Sequence, residues 1–456
     1  MSNVWLPTPT KDKAMLKLCP QSIGILLPCE PFKVKASEIM GEELHIRFEP
    51  SAPQGRCPHC GEEQTVHEWR EIRLDGPPTA IHSHTFWDVR YRVCRCTFCE
   101  AFNTEPIPFR FGRTHCTTYL ARKICDDLCG QDQSIKSVSK RYGLSWDRVK
   151  GVHKEYLLSL KALAPQPDPP EICAVDEFAV ERNHRYATLV IDAKTKLPLH
   201  LHKGNAAKDL EPFFSMYGKK FYDSIKAFAM DQNTSYSSVV SQHLPSCTIV
   251  CDYFHIMKNY SEQVTDCVRR RTGRQFLRLG RKEDAQRIKC SARLLNRRFP
   301  AEDEIDDEAV WSAKLMLQTM MEENHDLDVC IHMREKLQYL YDNCRDVSAM
   351  RDGWIGWCDM AMQSGVPELM QFAIRKRKLR EQEIINHALF PVSSGVIEGC
   401  MNKIKVLKRV SFGLTDYDYF FLRVWQAFLP PETNRVLSDR LWNNYECTGC
   451  AKEDAA

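Results

Sequence analysis

Residues 392–405 read V-S-S-G-V-I-E-G-C-M-N-K-I-K and set a carboxylate, Glu398, near the start of a predicted helix. Asn402, Lys405 and Arg409 follow at i+4, i+7 and i+11. At 100° per residue the four side chains fall within about 60° of one another. Ile397, Met401, Ile404 and Leu407 occupy a separate apolar face that would pack inward. An acid followed by an amide and two cations on one stripe suits a metal ion held beside a polyanion. The same stripe is also what the solvated face of an amphipathic helix looks like.

Two further carboxylates stand in apolar runs far upstream, Asp176 in I-C-A-V-D-E-F-A-V and Asp231 in I-K-A-F-A-M-D. Three acids brought to about 4 Å at an effective dielectric of 20 repel by about 4 kcal/mol per pair. Divalent cations remove that penalty, and hard oxygen ligands with open positions select Mg²⁺ or Mn²⁺ over zinc. Two such ions roughly 4 Å apart serve the attacking and leaving oxygens of a phosphodiester.

Strands and helices must bring those acids together. Predicted strands cover 172–180, 185–192, 197–202, 225–231 and 247–252, with helices at about 206–217 and 235–244. The order β-β-β-α-β-α-β is that of the RNase H-like fold, whose first strand lies beside its fourth. Asp176 and Asp231 would then face each other across about 4.8 Å of sheet. Asp252 would sit one strand further out, about 10 Å away, which favours Asp231 as the second acid.

The segments A-V-D-E-F-A, A-M-D-Q-N-T-S-Y, C-D-Y-F-H-I-M-K-N and V-S-S-G-V-I-E-G-C-M-N-K-I-K-V-L-K-R resemble bacterial insertion-sequence transposases of the ISL-three family, a DDE group. The likeness runs in order from about Cys57 to Arg423, and E-G-x-x-N-K-I-K is its most specific part. It implies Asp176, Asp231 and Glu398 as a catalytic triad on two Mg²⁺ (or Mn²⁺) ions, for strand cleavage and strand transfer. Asp252 and His255 resemble a D-x-x-H element following the second acid; a supporting, structural histidine is the expectation for His255. The likeness further implies an all-helical insertion before the catalytic helix, here about 261–390. Within it, 269–298 carries twelve Lys/Arg against two acids and 375–380 reads R-K-R-K-L-R. Such blocks are often solvated faces, but the first is expected to meet DNA phosphates. Trp354 and Trp357 could stack on an extruded base, although core packing is the commoner fate of such residues.

Two C-x-x-C knuckles, Cys57–Cys60 and Cys96–Cys99, are separated by 35 residues. Four thiolates in a tetrahedron are what one structural Zn²⁺ requires, and strands such as W-D-V-R-Y-R-V would fill the gap as a ribbon. Cys94 is a rival ligand. Residues 133–154 then read as a helix-turn-helix: Ser134 caps one helix and Gly143-Leu144-Ser145 turns. Ser145 caps a second helix presenting Trp146, Arg148, Lys150 and Lys154 to a DNA groove. A plain helical hairpin is the alternative.

The expected organisation is multi-domain α+β. A zinc ribbon (40–112) and a helix-turn-helix (116–160) come first, then a Pro-rich linker (161–170). An RNase H-like core (171–260 and 391–430) is interrupted by the insertion (261–390), and 431–456 is a tail. The net charge of +3 is mild, so DNA binding rests on local clusters. With 21 cysteines and no signal peptide or long apolar run, the expected setting is a reducing bacterial cytoplasm, without a membrane. Expected partners are terminal inverted repeats, target DNA and at least a second copy, since two ends must be paired. A DNA-binding regulator without catalysis and a nuclease that cuts without joining are the rival readings. Cys447 and Cys450 form a third C-x-x-C with no evident partner.

Overall fold

The computed structural model describes residues 16–17, 30–79, 81–129, 133–181, 185–231, 234–300, 306–392, 394–411 and 415–446. The chain divides into two compact units, residues 1–166 with 405–456 and residues 167–404. The division at 166/167 falls inside the P-Q-P-D-P-P stretch.

The first unit is built on a six-stranded sheet: β1 (Leu16–Lys17), β2 (Phe32–Met40), β3 (Glu43–Pro50), β4 (Gln64–Gly76), β5 (His84–Cys96) and β6 (Phe102–Thr104). The strands run in the order β1-β2-β3-β5-β4, with β6 on β5. Phe32, Leu44, Ile46, Phe48, Leu74, Trp87, Val89 and Phe109 form its core. Residues 32–50 thus belong to the sheet that the sequence reading began only at about 40. Strand β2 carries charged residues on its outer face and so lacks a long apolar run.

Helices α1 (Thr118–Cys129), α2 (Ile135–Tyr142) and α3 (Trp146–Leu163) follow. Ser134 accepts the Ser137 amide at 3.2 Å, Gly143 takes φ +64°, and Ser145 accepts the Arg148 amide at 3.3 Å. A left-handed residue at that position ends a helix with no Cβ cost only when it is glycine.

In the second unit the sheet order is β11-β10-β7-β8-β9, from β7 (Ile172–Glu181), β8 (Arg185–Asp192), β9 (Pro198–Lys203), β10 (Ala227–Met230) and β11 (Thr248–Cys251). β7 pairs in parallel with β10 and β10 with β11, while β7–β8 and β8–β9 are antiparallel. The expected adjacency of first and fourth strands is present. The single helix expected at 206–217 is instead α4 (Ala207–Leu210), a 3₁₀ turn at Glu211–Ser215 and α5 (Lys219–Asp223). Pro212 removes an amide there, and Gly218 opens the chain again. Helix α6 (Thr234–His243) packs Tyr236, Val239 and Val240 on one sheet face.

From α7 (Tyr253–Tyr260) onward the regular structure among the described residues to 390 is all helical. It includes a π-turn at Ser261–Thr265, α8 (Asp266–Arg278), α9 (Lys282–Cys290), α10 (Ala292–Leu295), α11 (Glu308–Glu322), α12 (His325–Asn343), α13 (Val347–Gln363) and α14 (Pro367–Ile385). Their core includes Tyr260, Tyr341, Trp354, Trp357 and Phe372. Trp354 and Trp357 stack with ring centres 5.3 Å apart, both fully buried, and Trp357 Nε1 donates to the Met333 carbonyl at 2.7 Å. They are core residues, not a platform for a base. Among the described residues no helix is long and apolar enough to cross a membrane.

Helix α15 (Ser394–Val410) carries the E-G-x-x-N-K-I-K motif and is followed by α16 (Tyr417–Phe428) and α17 (Pro431–Glu446). In the first unit, Leu437, Leu441 and Trp442 of α17 join the core of α1–α3. Residues 431–446, expected as a tail, are therefore a packed helix. Cys447 and Cys450 lie outside the described residues.

Candidate functional site

Met230 is in register with Val175 on one side and Cys251 on the other. One residue further along each chain stand Asp231, Asp176 and Asp252. Three acids therefore occupy one row across neighbouring strands about 4.8 Å apart. The Asp252 amide donates to the Met230 carbonyl at 3.0 Å, holding that row at the strand ends.

The three acids are not equivalent. Asp252 is buried and both its oxygens are engaged: it caps α7 through the Phe254 amide at 3.0 Å and meets His255 Nδ1 at 2.9 Å. His255 Nε2 lies 3.5 Å from Asp231 Oδ2, so the imidazole bridges the second and third acids of the row. Burial opposes charge on that ring, but the Asp252 bond and the charges of Asp231 and Asp176 hold its pKa above the ordinary value. Asp176 accepts the Glu177 amide at 2.8 Å. Burial pushes its pKa up to about 6; His255 and the Glu177 amide oppose this, and Asp252 and Asp231 add to it. A carboxylate crowded in this way gains from a cation.

The sequence reading missed two cations that the insertion turns inward. Lys376 and Arg380 lie in the R-K-R-K-L-R run, yet both are buried, on the face of α14 that also carries Phe372 and Ile384. Arg380 pairs with Glu383 at 2.7 Å, and Lys376 lies over the Phe372 ring at 5.3 Å. Burial lowers the Lys376 pKa to about 8, with Cys251 and Asp231 opposing the shift. The Asn386 side chain donates to the Ile249 carbonyl at 2.8 Å and pins the end of α14 to β11. The visible signal was the i+4 spacing 372-376-380-384, which puts charge on an apolar stripe.

On α15, Glu398, Asn402, Lys405 and Arg409 are all exposed, whereas Met401, Ile404 and Leu407 are buried. The two faces separate as expected; the Ile397 side chain lies outside the described ones. The triad is not a closed ligand set. Among the described residues, Asp176, Asp231 and Glu398 do not bring their ligand atoms within 4.8 Å of one another, a spacing that the four cysteines reach. Asp176 and Asp231 fit a hard divalent cation by donor type and by adjacency; Glu398 fits by donor type alone.

The cysteines are close. The Sγ atoms of Cys57, Cys60, Cys96 and Cys99 all lie within 4.8 Å of one another, with Cys57–Cys99 at 3.6 Å and Cys60–Cys96 at 3.5 Å. Four sulfurs at about 2.3 Å from a tetrahedral zinc would stand about 3.8 Å apart, so set and spacing are compatible with Zn²⁺. Gln64 pairs with Cys96 across β4 and β5, which brings the knuckle before β4 onto the knuckle after β5. The Phe98 and Cys99 amides point at Cys96 Sγ, each at 3.4 Å. Cys94 is buried outside this group.

On α3, three of the four expected DNA-facing residues are ion-paired within the first unit. Arg148 bonds to Asp75, and Asp416 receives Lys154 at 2.9 Å and Lys150 at 3.3 Å. Trp146 is half-buried, with Lys150 5.4 Å over its ring.

The family model of the DDE, ISL3 type, described as "Transposase", matches residues 173–424. The chain is 30% identical over 399 residues to the transposase for insertion sequence element IS1001 of Bordetella parapertussis, across 87% of this chain and 94% of that protein. It is 24% identical over 263 residues to the transposase for insertion sequence element IS1557 of two Mycobacterium tuberculosis strains, CDC 1551 / Oshkosh and ATCC 25618 / H37Rv. That match spans 52% of this chain and 56% of each relative.

Proposed function

This chain belongs to the ISL3 family of DDE transposases, and from that premise we propose that it binds the terminal inverted repeats of its element, cleaves there and joins the freed ends to target DNA. The observation that carries this reading is the row of Asp176 and Asp231 on adjacent parallel strands, with His255 bridging Asp231 to Asp252. The sheet order and the helical insertion support an interrupted RNase H-like core.

Asp176 and Asp231 would hold two Mg²⁺ or Mn²⁺ ions, with Glu398 as the third ligand. When bound, the ions supply activation of the attacking oxygen and stabilisation of the leaving oxygen. The residues of the chain do the rest. Asp252 fixes the ring of His255, and His255 fixes the rotamer of Asp231. Asn402, Lys405 and Arg409 follow Glu398 on the exposed stripe and would grip adjacent phosphates. Strand cleavage leaves a 3′-hydroxyl, and the same acids serve its attack on target DNA. Glu398, exposed on α15, would complete the ligand set with the two aspartates.

The four thiols would hold one structural Zn²⁺, and the ribbon with α2 and α3 would form the end-reading module, a helix-turn-helix. Arg148, Lys150 and Lys154 would reach DNA by exchanging Asp75 and Asp416 for phosphate. Pairing of two ends calls for at least a dimer. A second reading, a DNA-binding regulator without catalysis, draws support from the open spacing of the acids.

The test is incubation of the purified protein with its element ends, target DNA and Mg²⁺, beside Asp176→Asn. Joined products that need Asp176 are expected. End binding without cleavage by either protein would favour the regulator, and nicked products without joining a nuclease.

A further inference from the structure

Eight of the ten arginines at 269–298 fall into two groups that their sequence does not distinguish. Arg269 pairs with Asp266 at 3.0 Å and donates to the Lys289 carbonyl at 2.8 Å. Arg271 reaches Asp326 at 2.7 Å and Glu368 at 2.9 Å, tying α8 to α12 and α14. Arg281 and Arg287 share Asp284, at 2.6 and 3.1 Å, and Arg298 takes Asp342 at 2.9 Å. These five are absorbed in holding the insertion together.

Arg270, Arg274 and Arg278 are different. They are exposed, at i, i+4 and i+8 of α8, opposite the buried residues Val268, Thr272 and Phe276 that face the core. Arg270 and Arg274 donate only to the backbone carbonyls one turn earlier, at 3.2 and 3.3 Å. Among the described residues none of the three has a carboxylate in ion-pair reach. Asp266, one turn before Arg270, gives its carboxylate to Arg269 instead. A cation held to a carbonyl keeps its charge unneutralised.

We infer that Arg270, Arg274 and Arg278 form a phosphate-binding ridge through which the helical insertion grips duplex DNA. The three guanidinium groups are spread over about 12 Å of helix. One strand of a duplex presents roughly three to four phosphates over that length. The planar forks suit bidentate phosphate contact, which carries no base information, so the ridge is expected to bind without regard to sequence. This assignment rests on the reading of the protein as a DNA transposase and adds to it the surface by which the insertion holds the duplex.

The test uses the full chain and a duplex of unrelated sequence, with fluorescence anisotropy over about 50–200 mM salt. The triple variant R270Q/R274Q/R278Q is expected to reduce the slope of log affinity against log salt by about 3. Its affinity should fall at least about tenfold at the low-salt end. The all-lysine triple should keep most of the slope, and R281Q/R287Q should leave it unchanged. A glutamine triple that retains the wild-type slope would overturn the ridge while leaving the transposase reading intact. A slope lost equally in the lysine triple would mean that fold, not charge, was lost, and would overturn it too. A wild-type chain that binds no duplex at low salt would contradict the DNA reading itself, and the ridge with it.

Discussion

The four-thiol group and the acid row are both sets of metal-ligating side chains, but one is closed and the other open. The sulfurs stand within 4.8 Å of one another, and the triad of acids does not. The difference lies in what fixes each ligand. Each knuckle is four residues of backbone beside a strand, and the β4–β5 register sets one knuckle against the other. The acids lack that local anchorage. Two ride on adjacent strands, whereas the third is on a helix that follows a long insertion, and their mutual repulsion rises as they approach.

Removing metal should separate the two regions most sharply. With a zinc chelator, or in Cys96→Ser, protease protection of residues 57–104 should collapse, because structural zinc contributes on the order of 10 kcal/mol to small folds. The sheet of the second unit should stay protected. Equal loss in both units, followed by limited proteolysis and mass spectrometry, would break the distinction.

The acid row can be resolved by single substitutions. Asp231→Asn should lower strand cleavage by about 10²–10³-fold with little change in thermal midpoint, since it removes a repelling charge. Asp252→Ala should cost more stability, about 1 kcal/mol through the α7 cap, and less cleavage. The reverse ranking would make Asp252 the second acid. His255→Ala, which leaves both acids but removes the bridge, should cost about 10–100-fold in Mn²⁺ affinity measured by calorimetry.

A smaller effect is expected at Lys376. Its folded pKa of about 8 lies below the unfolded value near 10.5, so the unfolded chain binds more protons and stability rises as pH climbs from about 8 to 10.5. Below that window the buried charge costs up to about 3 kcal/mol. Lys376→Met should therefore raise the urea midpoint at pH 7 and flatten its rise at high pH. An unchanged midpoint would mean that the ammonium is already compensated.

Local signals in the sequence carried far. The caps at Ser134 and Ser145, the turn at Gly143, the two knuckles and the five strands of the second unit are written in short segments whose physics is local. Partners distant in sequence were not legible. Arg148 finds Asp75 and Lys154 finds Asp416, residues far from them along the chain, so a face that reads as free cation is paired. Lys376 and Arg380 were hidden for the opposite reason: a charge count ignores which face a residue occupies. Pro212, lacking the amide that an interior turn needs, bars one continuous helix over 206–217.

The central claim is that Asp176, Asp231 and Glu398 act as one site although they come from two strands and a distant helix. It is tested most directly by comparing wild type and Glu398→Gln for end binding and strand transfer with Mg²⁺. Equal binding of ends, with joined products from the wild type alone, is the predicted result. Joined products of equal yield from both proteins would contradict it and remove Glu398 from the site.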